Sequence, residues 1–159
     1  MNKPKQIFIV EDNEVFSMML DYILSTDSIY NFVSFKTGEE CVKNLYMNPD
    51  IIILDYGLPG INGYETLKEI KKRSPHTHVI ILSNNKDKNI AAKLLALGAD
   101  DYILKQGHGE TQVIKRIEHV LKKDEQSKRS IGRNAPLVER WVVFILIIIT
   151  VGFFISRVV

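Results

Sequence analysis

The chain has one cysteine, Cys41, among 159 residues. A lone thiol excludes a disulfide-stapled scaffold and a multi-cysteine zinc site, and it fits a reducing compartment. A secretory signal is not expected either. Gln6–Val10 is the only apolar stretch near the start, and Glu11 and Asp12 follow at once, whereas a signal needs an apolar core of about 7–15 residues and a small-residue cleavage site. The N-terminal part is therefore expected to stay in the cytoplasm. There is no excess of one charge: the formal net charge is +2, too small to point to nucleic acid. His76, His78, His108 and His119 have no ligand-like spacing, and no sequence repeat is present. What remains is a globular composition, 45% hydrophobic and 25% charged, which excludes a disordered or collagen-like chain.

The composition is uneven. Residues 1–123 carry as many acidic as basic side chains, and residues 124–159 carry a basic excess and the longest apolar run. Within the first part, short apolar runs alternate with helix-period segments. Gln6–Val10, Asn31–Phe35, Ile51–Leu54, His78–Leu82 and Asp101–Leu104 read as strands, rich in Ile, Val and Phe and bounded by turn residues. Ile51–Leu54 has no polar alternation and is expected at the centre of a sheet covered on both faces.

Five helices are expected between and after these strands. Val15–Ser25 repeats apolar residues at Val15, Met18/Met19, Tyr22 and Ile23. Thr37-Gly38-Glu39-Glu40 is a capping-box pattern opening a helix to about Met47. Tyr64–Arg73 and Asp87–Leu97 follow, the latter stopped by Gly98 as a left-handed cap. Glu110–Lys123 places Val113, Ile114, Ile117, Val120 and Leu121 on one face. Five βα units imply right-handed crossovers and a parallel sheet.

Residues 124–137 are polar, contain Gly132 and Pro136, and read as a basic linker, helical in its first turn as an extension of the fifth helix. Residues 138–158 are expected to be a single transmembrane helix. The core, Trp141–Ser156, is uncharged with no polar face. Sixteen residues span about 24 Å, enough for a bilayer if the flanking Glu139, Arg140 and Arg157 snorkel. Lys128, Arg129, Arg133 and Arg140 precede the run and only Arg157 follows it, so the N-terminal side is expected on the cytoplasmic face.

In a doubly wound sheet, functional groups gather at the carboxyl ends of the strands. Glu11 and Asp12 follow the first strand, Asp55 the third, Ser83 the fourth and Lys105 the fifth. Carboxylates about 5 Å apart repel by roughly 3 kcal/mol per pair at an effective dielectric of about 20. A divalent cation relieves that conflict, and Mg²⁺ suits hard oxygen ligands with bound water and phosphate. An ionised aspartate can attack phosphorus to form an aspartyl phosphate. The cation, the Lys105 ammonium and the Ser83 hydroxyl can then share the charge on the transferred group.

The segments Ile9-Val10-Glu11-Asp12, Ile51 to Gly63 (IIILDYGLPGING), Val79-Ile80-Ile81-Leu82-Ser83 and Gly98 to Lys105 (GADDYILK) closely resemble a response-regulator receiver domain. The resemblance covers residues 1–123 in order. It implies a flavodoxin-like (βα)5 three-layer α/β sandwich with sheet order 2-1-3-4-5. It implies that Asp55 is the phosphoacceptor, that Glu11 and Asp12 form the acidic pair of a Mg²⁺ site, and that the Gly57 carbonyl completes the site. By the same resemblance Ser83 is the switch hydroxyl, Tyr102 the switch aromatic, and Lys105 the phosphate-contacting lysine. Two positions depart from the pattern. Asn84 stands where the family has a small residue, which puts the dephosphorylation rate in question. Gln106 replaces the proline that usually follows the lysine. A cis non-proline bond costs about 2.5–4 kcal/mol, so either the bond is trans and Lys105 is aimed differently, or strain is stored there. Glu11 and Asp12 as helix N-caps remain an alternative that can coexist with the metal role.

The resemblance implies a phosphorylation-switched signalling module rather than an enzyme. Its expected partners are a sensor histidine kinase or phosphotransfer protein, a downstream protein and the membrane, but not nucleic acid; a second copy of the chain is a further candidate. With 36 residues after residue 123, no output domain is expected. Two alternatives stand beside this reading. One is a phosphorylation-independent membrane scaffold with a degenerate site. The other is an Asp-nucleophile phosphatase, whose usual second Asp two residues on is Gly57 here.

Overall fold

A computed structural model describes residues 4–25, 29–106 and 109–133. Among the described residues, five strands alternate with five helices: β1 (Lys5–Val10), α1 (Glu14–Ser25), β2 (Tyr30–Phe35), α2 (Gly38–Lys43), β3 (Ile51–Asp55), α3 (Gly63–Arg73), β4 (His78–Ser83), α4 (Lys88–Ala96), β5 (Asp101–Leu104) and α5 (Gly109–Arg133). A 3-10 turn, Leu45–Met47, follows α2. The strands form one parallel sheet in the order β2-β1-β3-β4-β5, as the resemblance implied. The chain divides into two units, residues 1–120 and 121–159.

The central strand is β3, and all five of its residues are buried. Period-2 alternation sends Phe8, Val10, Ile52, Leu54, Val79 and Ile81 into one core layer with Cys41, Leu45, Leu67, Ile70 and Leu94 of the covering elements. Ile7, Ile9, Ile51, Ile53 and Ile80 fill the other face, also fully buried. Each such side chain contributes roughly 1.5–3 kcal/mol when taken out of water, so the isoleucine-rich strands drive the assembly.

Several expectations change. In α1 the stripe that marks the helix in the sequence is not the one that packs. Leu20 and Leu24 are buried, whereas Val15, Met18, Met19 and Tyr22 are exposed. The helix carries two apolar stripes, and periodicity does not say which one meets the sheet. The second helix ends at Lys43 rather than Met47. Asn44 leaves the helical basin (φ −97, ψ 8), and Asn48, which precedes Pro49, is left-handed at φ 53. A residue before proline is disfavoured in the α region. The expected capping box is half formed: Thr37 Oγ1 accepts from the Glu40 amide at 3.2 Å, but Glu40 Oε2 accepts from the Lys36 amide, at 3.0 Å, rather than from Thr37. A complete box stands at Asn62 and Glu65, which the sequence reading passed over. Gly98 is left-handed, φ 110, as its cap role requires.

The stretch read as linker is helical much further than one turn, since α5 continues to Arg133. Asp124–Arg133 is rich in Glu, Gln, Lys and Arg, good helix formers, and spaces Asp124 and Glu125 four residues before Lys128 and Arg129. Among the described residues no helix is long and apolar enough to cross a membrane. The expected span, 138–158, lies outside the described residues.

At the amino-terminal edge of the sheet a polar lacing holds the loops. Asp50 accepts from the Gln6 amide at 2.9 Å and pairs with Lys5 at 3.2 Å. Asp100 accepts from the Val79 amide at 2.9 Å, meets His78 Nδ1 at 2.9 Å and lies 3.8 Å from Lys71. Burial pushes the Asp100 carboxyl up, but the His78 and Val79 hydrogen bonds and the His78 and Lys71 charges outweigh it, so it stays below the ordinary value of 3.8.

Candidate functional site

The strand register assembles the site. Val10 pairs with Leu54, so Glu11 stands level with Asp55. Asp55 pairs with Leu82, which puts Ser83 one step beyond it, and Ser83 pairs with Leu104, immediately before Lys105. Backbone bonds fix these strand ends: Tyr56 N donates to Leu82 O at 2.8 Å and Lys105 N to Ser83 O at 2.9 Å. Glu11, Asp12, Asp55, Gly57, Ser83 and Lys105, the residues the sequence singled out, line one cleft together with Val15, Phe16, Met19, Asn84 and Asn85. Tyr102 is beside the cleft rather than in its lining.

One carboxylate oxygen each from Glu11, Asp12 and Asp55 lies within 4.8 Å of the others, matching the separation assumed for their mutual repulsion. Glu11 and Asp55 are buried; Asp12 is exposed. Lys105 Nζ sits between the two buried carboxylates, 2.6 Å from Glu11 Oε2 and 2.9 Å from Asp55 Oδ2. This ammonium is the counter-charge at the buried Glu11 Oε2. Burial raises the Glu11 carboxyl above its ordinary 4.5, with the Asp55 charge adding to the rise and Lys105 opposing it. Three carboxylates that converge around a single ammonium form a hard oxygen set that suits a divalent cation. Glu11, Asp12 and Asp55 are the side chains that would hold it. The nearest position to Asp55 on Gly57 is open: a Cβ there would lie 3.7 Å from Asp55 Oδ2, ordinary contact.

The Lys105–Gln106 bond is trans, since no cis peptide occurs among the described residues. Lys105 nevertheless reaches Asp55, so the missing proline does not aim it elsewhere. Its ammonium also lies 4.9 Å from the centroid of the Phe16 ring, a contact that the sequence reading did not foresee.

The α1 cap is neither Glu11 nor Asp12. Asn13 Oδ1 accepts from the Phe16 amide at 3.0 Å, while Glu11 Oε1 accepts from the Asn13 amide at 3.2 Å. Both acidic residues are thereby left for the cleft. Ser83 and Tyr102 meet through a residue not singled out in sequence. Ser83 Oγ accepts from the Asn85 amide at 3.0 Å, and Tyr102 Oη donates to the Asn85 carbonyl at 2.6 Å. Gly63 was missed as well. A Cβ there would lie 2.6 Å from the Asp55 carbonyl oxygen and from Tyr56 Cα, so only glycine lets α3 start against the end of β3. Cys41 is buried, and burial pushes its thiol up to about 12, as expected of a thiol in apolar surroundings.

An open parallel α/β sheet with an acidic cluster and a lysine at its carboxyl edge defines the class. The chain belongs to the response regulator receiver domain family, whose sequence profile matches residues 7–118. Among curated relatives it is similar to the "Probable C4-dicarboxylate response regulator DctR" of Bacillus subtilis, 33% identical over 134 residues, covering 84% of this chain and 57% of that protein. It is also similar to the cell cycle response regulator CtrA of Brucella ovis, 29% identical over 135 residues with the same coverages, 84% and 57%. The chain thus spans little more than half the length of these relatives. Among solved structures it resembles the response regulator domain of Thermotoga maritima CheB, with 29% identity and a TM-score of 0.65 over 76% of this chain and 96% of that one. Residues 7–118 form a receiver domain of two-component signalling, with an acidic pocket of the kind that holds a divalent cation.

Proposed function

We propose that this chain is a phosphorylation-switched receiver that takes a phosphoryl group on Asp55 from a phosphohistidine of a sensor kinase or phosphotransfer protein. The carrying observation is Lys105 Nζ at 2.9 Å from Asp55 Oδ2 beside three convergent carboxylates. An Asp55 oxygen forms the new O–P bond, the phosphohistidine N–P bond breaks, and the freed imidazole retains the electron pair and takes a proton from water. Lys105 and the Ser83 hydroxyl bind the equatorial phosphoryl oxygens. Glu11, Asp12 and Asp55, with the Gly57 carbonyl by the family resemblance, would hold Mg²⁺, which would supply charge neutralisation at the phosphoryl group. The exposed α1 stripe of Val15, Met18, Met19 and Tyr22 adjoins the cleft, with Val15 and Met19 in its lining, and offers an apolar docking surface for the phosphodonor.

In this reading the chain catalyses only its own phosphorylation and dephosphorylation. The uncharged run Trp141–Ser156, preceded by basic residues, tethers it to the membrane with the receiver on the cytoplasmic side. The scaffold reading draws on Asn84 and Gln106, but the trans bond and the seated Lys105 weaken it.

Intact-mass measurement with acetyl phosphate separates the readings. The expected result is a single added phosphoryl group in Mg²⁺, none in EDTA and none with Asp55→Asn. Turnover without accumulation would indicate a phosphatase, and no labelling a scaffold. For the tether, a carbonate wash should leave wild type in the membrane pellet, and Ile147→Arg should release it, because arginine at a helix centre costs about 3 kcal/mol. Wild type in the soluble fraction overturns the tether.

A further inference from the structure

We infer that the end of the sheet opposite the cleft is a bilayer-contact surface, with Tyr46 and Met47 seated in the headgroup region of an anionic membrane. The inference rests on the membrane tether proposed above and deepens it.

The turn after α2 holds these two side chains outward. Leu45 is buried beneath them, while Tyr46 is 75% and Met47 39% exposed. Met47 N bonds to Asn44 O and Asn48 N to Leu45 O, both at 3.0 Å, and the left-handed Asn48 adds a side-chain bond to Tyr46 O at 3.2 Å. A turn bonded this closely presents a fixed wedge. A tyrosine with an apolar body and a polar tip is the residue type that favours the membrane–water interface.

Basic side chains flank the wedge. Lys43 is exposed at the end of α2, and Lys72 and Arg73 at the end of α3. The two loops are neighbours, because Thr77 Oγ1 donates to Pro49 O at 3.0 Å. Among the described residues, the acidic groups beside the wedge have partners. Asp50 pairs with Lys5, Asp100 with His78 and Lys71, and Glu69 with Arg73. Lys43 and Lys72 have no ion pair among the described residues, leaving their charge available to anionic headgroups.

The chain also leaves the first unit at this end. Arg116 Nε of α5 lies 2.9 Å from Asp101 Oδ2, the first residue of β5, so α5 runs back antiparallel to the sheet and Val120 lies toward the amino-terminal edge. The basic and then uncharged sequence that follows is the proposed tether. A bilayer on this side leaves the Asp55 cleft, at the other end of the strands, facing water and accessible to a soluble phosphodonor.

The test uses the full chain in vesicles of three parts phosphatidylcholine to one part phosphatidylserine. A nitroxide is attached at Tyr46→Cys or, at the cleft end, at Tyr64→Cys; the buried Cys41 thiol, pushed up to about 12, does not compete. Collision with oxygen and with a water-soluble nickel chelate reads the environment. The expected result is a several-fold fall in nickel relative to oxygen collisions at position 46 in vesicles but not in detergent, none at position 64, and loss of that protection with Lys43→Glu plus Lys72→Glu. If the protein floats with the vesicles while position 46 stays as water-accessible as position 64, the surface is overturned and the tether stands. Equal protection in detergent, which indicates a second copy or another protein, also overturns it. Failure to float with the vesicles overturns the tether and this inference together.

Discussion

Lys105 Nζ lies 2.6 Å from Glu11 Oε2, and both side chains are nearly excluded from solvent. The ammonium bridges Glu11 and Asp55, doing the charge neutralisation that a cation would otherwise do. Lys105→Met leaves two buried carboxylates without counter-charge. It should destabilise the fold at neutral pH by about 3 kcal/mol, the low end of the range for a broken buried pair because the cleft is open to water. Urea denaturation with and without MgCl2 checks this: Mg²⁺ should recover part of the loss in the variant, and an unchanged midpoint without Mg²⁺ refutes it.

The same ammonium rests against Phe16. A cation–ring contact contributes about 0.5–2 kcal/mol according to its exposure. Phe16→Leu should slow acetyl-phosphate labelling of Asp55 several-fold, while Phe16→Tyr, which keeps the ring, should label at the wild-type rate. Equal rates in all three proteins rule out a positioning role for the ring.

Glu11 and Asp100 predict opposite pH slopes. The folded Asp100 carboxyl sits below its ordinary 3.8, so its contribution to stability is present above that value and is lost as pH falls through the folded one. Asp100→Asn should therefore flatten the acid limb of a stability–pH profile. The folded Glu11 carboxyl sits above 4.5, so its contribution is present below that value and is lost as pH rises through the folded one. Glu11→Gln should remove this loss and weaken Mg²⁺ binding. Thermal unfolding from pH 3 to 8 reads both, and parallel slopes for the two variants contradict the assignment.

Tyr102 and Ser83 share Asn85 as a bonding partner. Tyr102→Phe removes the 2.6 Å bond to the Asn85 carbonyl, at a cost of about 1 kcal/mol or less. Asp55 labelling should continue. In solution NMR, a phosphate mimic with Mg²⁺ should shift the Ser83 and Asn85 amides in both proteins but leave ring 102 unresponsive in the variant. An identical response at position 102 would show that the hydroxyl does not carry the coupling.

Gly63→Ala would place a methyl 2.6 Å from the Asp55 carbonyl and the Tyr56 backbone. Neither can rotate away, so the start of α3 must move. The expected cost is about 1–3 kcal/mol, typical of overpacking, with slower labelling because Asp55 shifts with its strand. Denaturant midpoint and labelling rate should fall together; a change in neither means that the backbone accommodates the methyl freely.

Strand positions were legible to within a residue because buried parallel strands read as short isoleucine- and valine-rich runs, and a run such as Ile51–Leu54 has no competing interpretation. The chemistry was legible for a related reason. Parallel strands bring their carboxyl ends to one edge, so Glu11, Asp12, Asp55, Ser83 and Lys105 could be grouped before any distance was known. Sheet order came only through the resemblance, since local pattern carries no information about which strands pair.

Other features were decided by tertiary structure. Which stripe of α1 packs is a competition between two faces for one sheet, and Leu20 and Leu24 prevailed over Val15, Met18 and Tyr22. The Phe16 contact, the Asn85 link between Ser83 and Tyr102, and the tight fit at Gly63 each join residues far apart in sequence, where no periodicity reports them. Lys105 reaches Asp55 through a trans bond because strand pairing and the two buried carboxylates fix its direction without a proline. Local hydrophobic pattern and chain direction were enough to place the strands and the end of the sheet that does chemistry, but not the ends of α2 and α5. The tertiary structure alone decided which side chains touch, because contact depends on register and packing across segments that the local pattern does not connect.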